Sequence, residues 1–178
     1  MLCLLIKQLN DELNGIQVNW SISQVKGYIG ISGPYDLVKL SSNMQNNGLD
    51  WSLISSIMKD TPSQYSPSRL VRKLTEIDLM TKLPFVLLFH GDQDKSVPLS
   101  TASDLIDAFK SVSWPSPVSL VVYKGWSHTD LIIERPFAGD DRLCDDIMRL
   151  TSNCHPIEGK DQKAWGVAIS LARFVNPF

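Results

Sequence analysis

The 178-residue sequence is 43% hydrophobic and 20% charged, with a formal net charge of −2, the profile of an ordinary globular domain with a moderate core. Its pI near 5.9 leaves no basic stripe for a polyanion, so nucleic-acid binding is not expected. Met1–Lys7 is too short for a signal-peptide core and no apolar run reaches spanning length, so no transmembrane segment is expected. Cys3, Cys144 and Cys154 follow no Cys-x-x-Cys spacing and read as reduced thiols or small buried hydrophobes of a soluble, cytosol-facing chain. Cys154-His155 lacks the further ligands of a zinc site, and no metal or other cofactor is expected.

Residues 2–14 read as an amphipathic helix, with Leu2, Leu5, Ile6, Leu9 and Leu13 at helical spacing. The apolar pattern opens without an N-cap, which looks like a chain begun partway through an element. Asn14-Gly15 ends that helix, and Trp20–Ser23 is a linker. Val25–Ile31 reads as a buried strand closed by Ser32-Gly33-Pro34-Tyr35-Asp36. Ser32 is a weak candidate nucleophile, because a nucleophile elbow needs Gly-x-Ser-x-Gly between strand and helix. Pro34 stands where the last glycine should be and no helix pattern follows directly, so a strand-ending turn is the favoured reading.

Residues 37–80 form an insertion between strands, with an apolar helix face at Leu49, Trp51, Leu53, Ile54, Ile57 and Met58. It reads either as a lid over an acyl or prenyl pocket or as an ordinary helical hairpin packed on the sheet. The run Phe85–Phe89 then has the continuous apolar character of a strand buried on both faces. His90-Gly91 ends it, and Asp92, Asp94 and Lys95 follow at once. Residues 100–112 are helical, Trp114–Pro117 turns the chain, and Val118–Tyr123 is a third strand leading into Gly125-Trp126-Ser127-His128.

Strand, helix, strand is a right-handed crossover, so the loops after residues 90 and 123 open on the same sheet edge. The expected fold is α/β, with about three parallel strands in the order 25–31, 85–90, 118–123 and flanking helices. Chemistry in such sheets sits past the carboxyl ends of the strands. Asp94 followed by His128 is the acid-then-base order of an α/β-hydrolase triad, which makes them the candidate catalytic pair. Asp92 is the competing acid, although directly after the strand it suits a turn. His90 reads as a structural hydrogen-bonding residue and His155 carries no signal. Beyond His128, Thr129-Asp130 is expected to cap a short helix through Ile133, Asp141–Leu150 is a packing helix, residues 151–163 are a loose linker, and Ala164–Phe174 regains helical periodicity. The whole is expected to be one domain, partial in extent.

Several stretches together resemble a known family. They are Ser32-Gly33-Pro34-Tyr35-Asp36-Leu37, Gln64-Tyr65-Ser66-Pro67, Leu88 through Pro98, and Tyr123 through Leu131. They look like the carboxyl-terminal half of α/β-hydrolase carboxylesterases, in particular the plant isoprenylcysteine alpha-carbonyl methylesterases. Trp51–Met58 and Phe174-Val175-Asn176-Pro177-Phe178 resemble that family too. The resemblance implies hydrolysis of methyl esters of prenylated cysteine, small-molecule or on protein, by a Ser-Asp-His triad at endoplasmic reticulum and Golgi membranes. It implies Asp94 as the acid and His128 as the base. The family's His-Gly-Gly oxyanion loop and Gly-x-Ser-x-Gly nucleophile do not occur in this sequence, so the chain read alone is expected to be inactive and truncated. Two alternatives stand beside that reading. One is a noncatalytic form that binds a prenyl group or an intact paralogue. The other is a general carboxylesterase or arylformamidase of the same superfamily.

Overall fold

The computed structural model describes residues 1–46, 48, 50, 52, 56, 62–75 and 83–154. The expected helix-face residues Leu49, Trp51, Leu53, Ile54, Ile57 and Met58 and the expected terminal helix at 164–174 lie outside the described residues. By contact the chain divides into two units, Met1–His128 and Thr129–Phe178.

In the first unit, three strands form one sheet: β1 (Gly27–Ile31), β2 (Phe85–Gly91) and β3 (Val118–Tyr123). Their order is β1-β2-β3, and both pairings are parallel. The register sets Ile31 opposite Phe89, His90 opposite Val122 and Gly91 opposite Tyr123. The carboxyl ends of the strands therefore lie side by side. All seven residues of β2 are buried, as expected of the central strand of a parallel sheet covered on both faces.

One face of this sheet carries the main core. Helices α1 (Leu2–Leu13), α3 (Pro67–Val71) and α4 (Leu99–Ser111) contribute Leu5, Ile6, Leu9, Val71, Leu105 and Phe109, which pack with Val86 and Leu88 of β2. Side chains of this size each stabilise the fold by about 1.5–3 kcal/mol when fully buried. The ring of Phe109 meets Trp114 edge-on at 4.8 Å, and Trp114 Nε1 donates to the Pro84 carbonyl at 3.1 Å. That bond ties the approach to β3 to the approach to β2, which fixes where both strands start.

The boundaries differ from expectation in informative places. Trp20–Ser23 is more than a linker: Ile22–Gln24 makes a 3-10 turn, closed by a capping box between Ser21 and Gln24. A helix also follows the Ser32–Asp36 turn. It is α2 (Leu37–Asn46), with Leu37 and Leu40 buried. Asp36 starts it, its Oδ1 accepting from the amides of Val38 at 2.9 Å and Lys39 at 3.1 Å. Its apolar positions are too sparse to stand out by periodicity. The Asp36 cap ahead of Leu37, Leu40 and Met44 was the readable signal.

In the second unit, Asp130–Glu134 is a π-helical turn rather than an ordinary capped helix, and Arg135–Phe137 adds one α-turn. Thr129 makes no side-chain cap there. Its hydroxyl instead donates to Glu134 Oε1 at 2.8 Å. Helix α5 (Arg142–Cys154) starts about where expected and runs four residues further, so residues 151–154 of the expected linker are helical. Among the described residues, no helix is long and apolar enough to cross a membrane.

Candidate active site

The site is built where β2 and β3 end. Gly91, the last residue of β2, has no room for a side chain: a Cβ there would stand 2.1 Å from the Trp126 carbonyl oxygen. The loop after β3 therefore folds directly onto the end of β2. Main-chain bonds hold it, from Asp92 N to Tyr123 O at 3.1 Å and from Gln93 N to Trp126 O at 2.9 Å. Asp92 completes the clamp, because its Oδ1 accepts from Gly125 N at 2.6 Å. Gly125 has φ +79°, a left-handed conformation that glycine adopts without steric cost. Trp126 is buried at 2% exposure and stacks on Tyr123 at 4.3 Å. Two residues later the chain reaches His128 on an anchored loop.

Asp94 faces that histidine. Its side chain is fully buried, and its Oδ2 lies 2.8 Å from His128 Nδ1. Its Oδ1 accepts from Ser96 N at 3.0 Å and Val97 N at 2.8 Å. A carboxylate only accepts, so His128 Nδ1 donates and the lone pair is left on Nε2, the arrangement a general base needs. The His128 side chain is 39% exposed, so solvent or a substrate can reach the imidazole. Asp92 is committed to Gly125 and does not face His128.

Ser32 directly follows β1, at the neighbouring strand end. It is buried, and its backbone sits at φ +47°, an uncommon conformation for a residue with a Cβ. Its amide donates to Phe89 O at 2.9 Å. Its hydroxyl donates, at a long 3.5 Å, to the main-chain oxygen of His128. The hydroxyl is thus bonded to the histidine loop and not to the imidazole.

His90 is the member of this group whose part sequence reasoning described only as structural. It is fully buried on β2. Its Nε2 lies 2.9 Å from Val97 O and 3.3 Å from Asp94 Oδ2. The amides of Ser96 and Val97 also went unnoticed, although Asp94-Lys95-Ser96 is the spacing of an Asx-turn, in which an aspartate accepts from the backbone two residues on. Cys3, Cys144 and Cys154 are free thiols. Among the described residues there is no group of three or more His, Cys, Asp or Glu side chains placed to hold a metal ion.

A parallel sheet with a buried aspartate and a hydrogen-bonded histidine on the loops after adjacent strands has the architecture of part of an α/β-hydrolase fold. No protein-family model matches the chain. Curated relatives do. An isoprenylcysteine alpha-carbonyl methylesterase of Arabidopsis thaliana is 37% identical over 149 residues, which is 82% of this chain and 34% of that protein. A probable isoprenylcysteine alpha-carbonyl methylesterase of Oryza sativa is 31% identical over 189 residues, 99% of this chain and 44% of that protein. Similar solved structures include a puromycin-hydrolyzing peptidase of Mycobacterium tuberculosis, with TM-score 0.44, 15% identity, and coverage of 68% of this chain and 20% of that one. Another is a thermophilic esterase of Thermogutta terrifontis, with TM-score 0.36, 21% identity, and coverage of 54% and 33%. The chain belongs to the α/β-hydrolase carboxylesterases, among relatives of the plant isoprenylcysteine alpha-carbonyl methylesterases. It spans between a third and a half of the length of the curated relatives it matches.

Proposed function

We propose that this chain carries the acid–base half of a serine esterase, with His128 as general base and Asp94 as the acid that orients it. The observation behind this reading is the 2.8 Å bond between Asp94 Oδ2 and His128 Nδ1, made by loops that follow adjacent parallel strands. In a complete site, His128 Nε2 takes the proton of a serine hydroxyl as that oxygen attacks the ester carbonyl. It then returns the proton to the departing alkoxide. Water repeats the sequence on the acyl-enzyme and releases the acid. The names of the relatives favour a methyl ester of prenylated cysteine as substrate. The products are then a prenylcysteine carboxylate and methanol. The proposal extends to a reaction at endoplasmic reticulum and Golgi membranes, as the family resemblance implies, and fractionation of a tagged chain tests it.

A second reading is favoured by one observation of the sequence: it holds no Gly-x-Ser-x-Gly and no His-Gly-Gly. On this reading the polypeptide by itself is a noncatalytic form that binds a prenyl group or a paralogue. Removing the nucleophile from a serine hydrolase costs on the order of 10⁶ in turnover. Without oxyanion donors, most of the remaining rate goes as well. The deciding assay is hydrolysis of farnesylcysteine methyl ester and of a short activated aryl ester by the purified chain, beside His128→Ala and Ser32→Ala. Turnover equal to that of His128→Ala supports the noncatalytic reading of this polypeptide. Turnover above it that Ser32→Ala abolishes makes Ser32 the nucleophile. Activity on the aryl ester alone points to a general carboxylesterase.

A further inference from the structure

Asp94 and His128 leave one ionisable group of the cluster unused. His90 is buried at 0% exposure in the central strand, and neither the base nor the acid role needs it. Among the described residues its ring makes one hydrogen bond, to a main-chain carbonyl, Val97 O, at 2.9 Å. A carbonyl can only accept, so the proton of His90 resides on Nε2. Its Nδ1 is buried and, among the described residues, has no hydrogen-bond partner. This costly arrangement invites an account of what the ring accomplishes.

The Val97 peptide connects His90 to the acid. Its C=O accepts from His90 Nε2, and its N–H donates to Asp94 Oδ1 at 2.8 Å. The other carboxylate oxygen, Oδ2, lies 3.3 Å from the same Nε2 and 2.8 Å from His128 Nδ1. The Asp94–Val97 turn is thus fixed at both ends to a ring that is itself set rigidly in β2. The Nε2–H dipole also presents its positive end beside Oδ2. We infer that His90 is a positioning residue: it locks the Asp94–Val97 turn so that Oδ2 holds His128 with the proton on Nδ1. Outer partners of this kind set the tautomer and orientation of a working histidine.

This inference rests on the reading of Asp94 as the orienting acid, and one experiment separates the two. The ring nitrogens of both histidines are followed by long-range ¹H–¹⁵N correlation in the labelled full chain, above the pH at which His128 gives up its second proton. The wild-type chain is expected to show His90 protonated at Nε2 and His128 at Nδ1. Asp94→Asn is expected to shift His128 out of the Nδ1–H form; no shift sinks the reading of Asp94 whatever His90 does. His90→Leu is expected to lose Nδ1–H population at His128 toward the Asp94→Asn level. His90→Gln, whose side-chain amide nitrogen sits near the place of Nε2, is expected to restore it. A His90→Leu variant with wild-type His128, or a His90→Gln variant no better than His90→Leu, overturns the inference. Should His90→Leu fail to fold, the wild-type spectrum still decides: a His90 protonated only at Nδ1 overturns it.

Discussion

The ends of β2 and β1 lie side by side in one sheet and are built on opposite principles. At the end of β2 both carboxylate oxygens of Asp94 have a donor, and the neighbouring loop is clamped by Asp92 and pressed against Gly91. At the end of β1 a serine holds a positive φ, its hydroxyl making one long hydrogen bond, and among the described residues β1 pairs on one side only. The first end has its geometry over-determined by short local bonds. At the second end, one edge of the strand is unpaired among the described residues. The difference shows that the loops after two adjacent strands suffice to fix Asp94 against His128 with short bonds, whereas Ser32 is held by one main-chain bond to Phe89 and one long side-chain bond.

The open edge yields the largest expected effect. Ile29 of β1 is 40% exposed and Trp20 is 38% exposed, and an unpaired apolar edge is a template for strand addition. The purified chain is expected to self-associate with rising concentration, as sedimentation velocity reads. A monodisperse, cooperatively melting monomer would erase the contrast between the two strand ends.

Next comes Gly91→Ala. The added methyl meets main-chain oxygen at 2.1 Å, which no rotamer relieves. The expected cost is about 3 kcal/mol, the upper end of ordinary overpacking, measured by urea denaturation. Ser32→Gly probes the other end with the opposite sign. Releasing a side chain from the left-handed region recovers about 1–2 kcal/mol, partly offset by the greater unfolded-state entropy of glycine, about 0.5–1 kcal/mol. A small net stabilisation is expected in the same assay. A destabilisation would mean that the long bond to His128 O holds more than its length suggests.

The sheet and the pair were legible for a plain reason. A five-residue apolar run followed by His-Gly-x-x-Asp leaves few structures other than a buried strand and its exit loop. Val118–Tyr123 was bounded to the residue, because Pro117 and Gly125 punctuate it. Helix α2 was hidden, because its burial depends on two leucines and its start on a side-chain cap. The clamp was hidden too, since a glycine that admits a carbonyl from 35 positions away leaves no periodic trace. Val97 holds Asp94 and His90 through its main chain alone, and main-chain partners are not written in residue identity.

The smallest expected effect lies in the second unit and serves as a control. Arg142 grips Asp140 through Nε at 2.9 Å and Nη2 at 2.6 Å, and these bonds draw its carboxyl from 3.8 down to about 2. A depressed folded-state pKa stabilises above the unfolded value and is lost as pH falls from 3.8 toward 2. Arg142→Gln is expected to remove a slight acid-limb dependence of stability while leaving the His128 ring-nitrogen spectrum untouched. A change in that spectrum would mean that the strand-end pair depends on charges outside its own loops.

The two histidines around Asp94 also differ in what a dissolved reagent can reach. His128 presents 39% of its side chain to solvent and His90 none. An imidazole-directed acylating agent such as diethyl pyrocarbonate therefore discriminates between rings that share one carboxylate. It carbethoxylates His128 while the chain is folded and reaches His90 only through opening of the sheet. The pair is in effect a built-in footprint: one modification records the site and the other records the integrity of the strand beneath it.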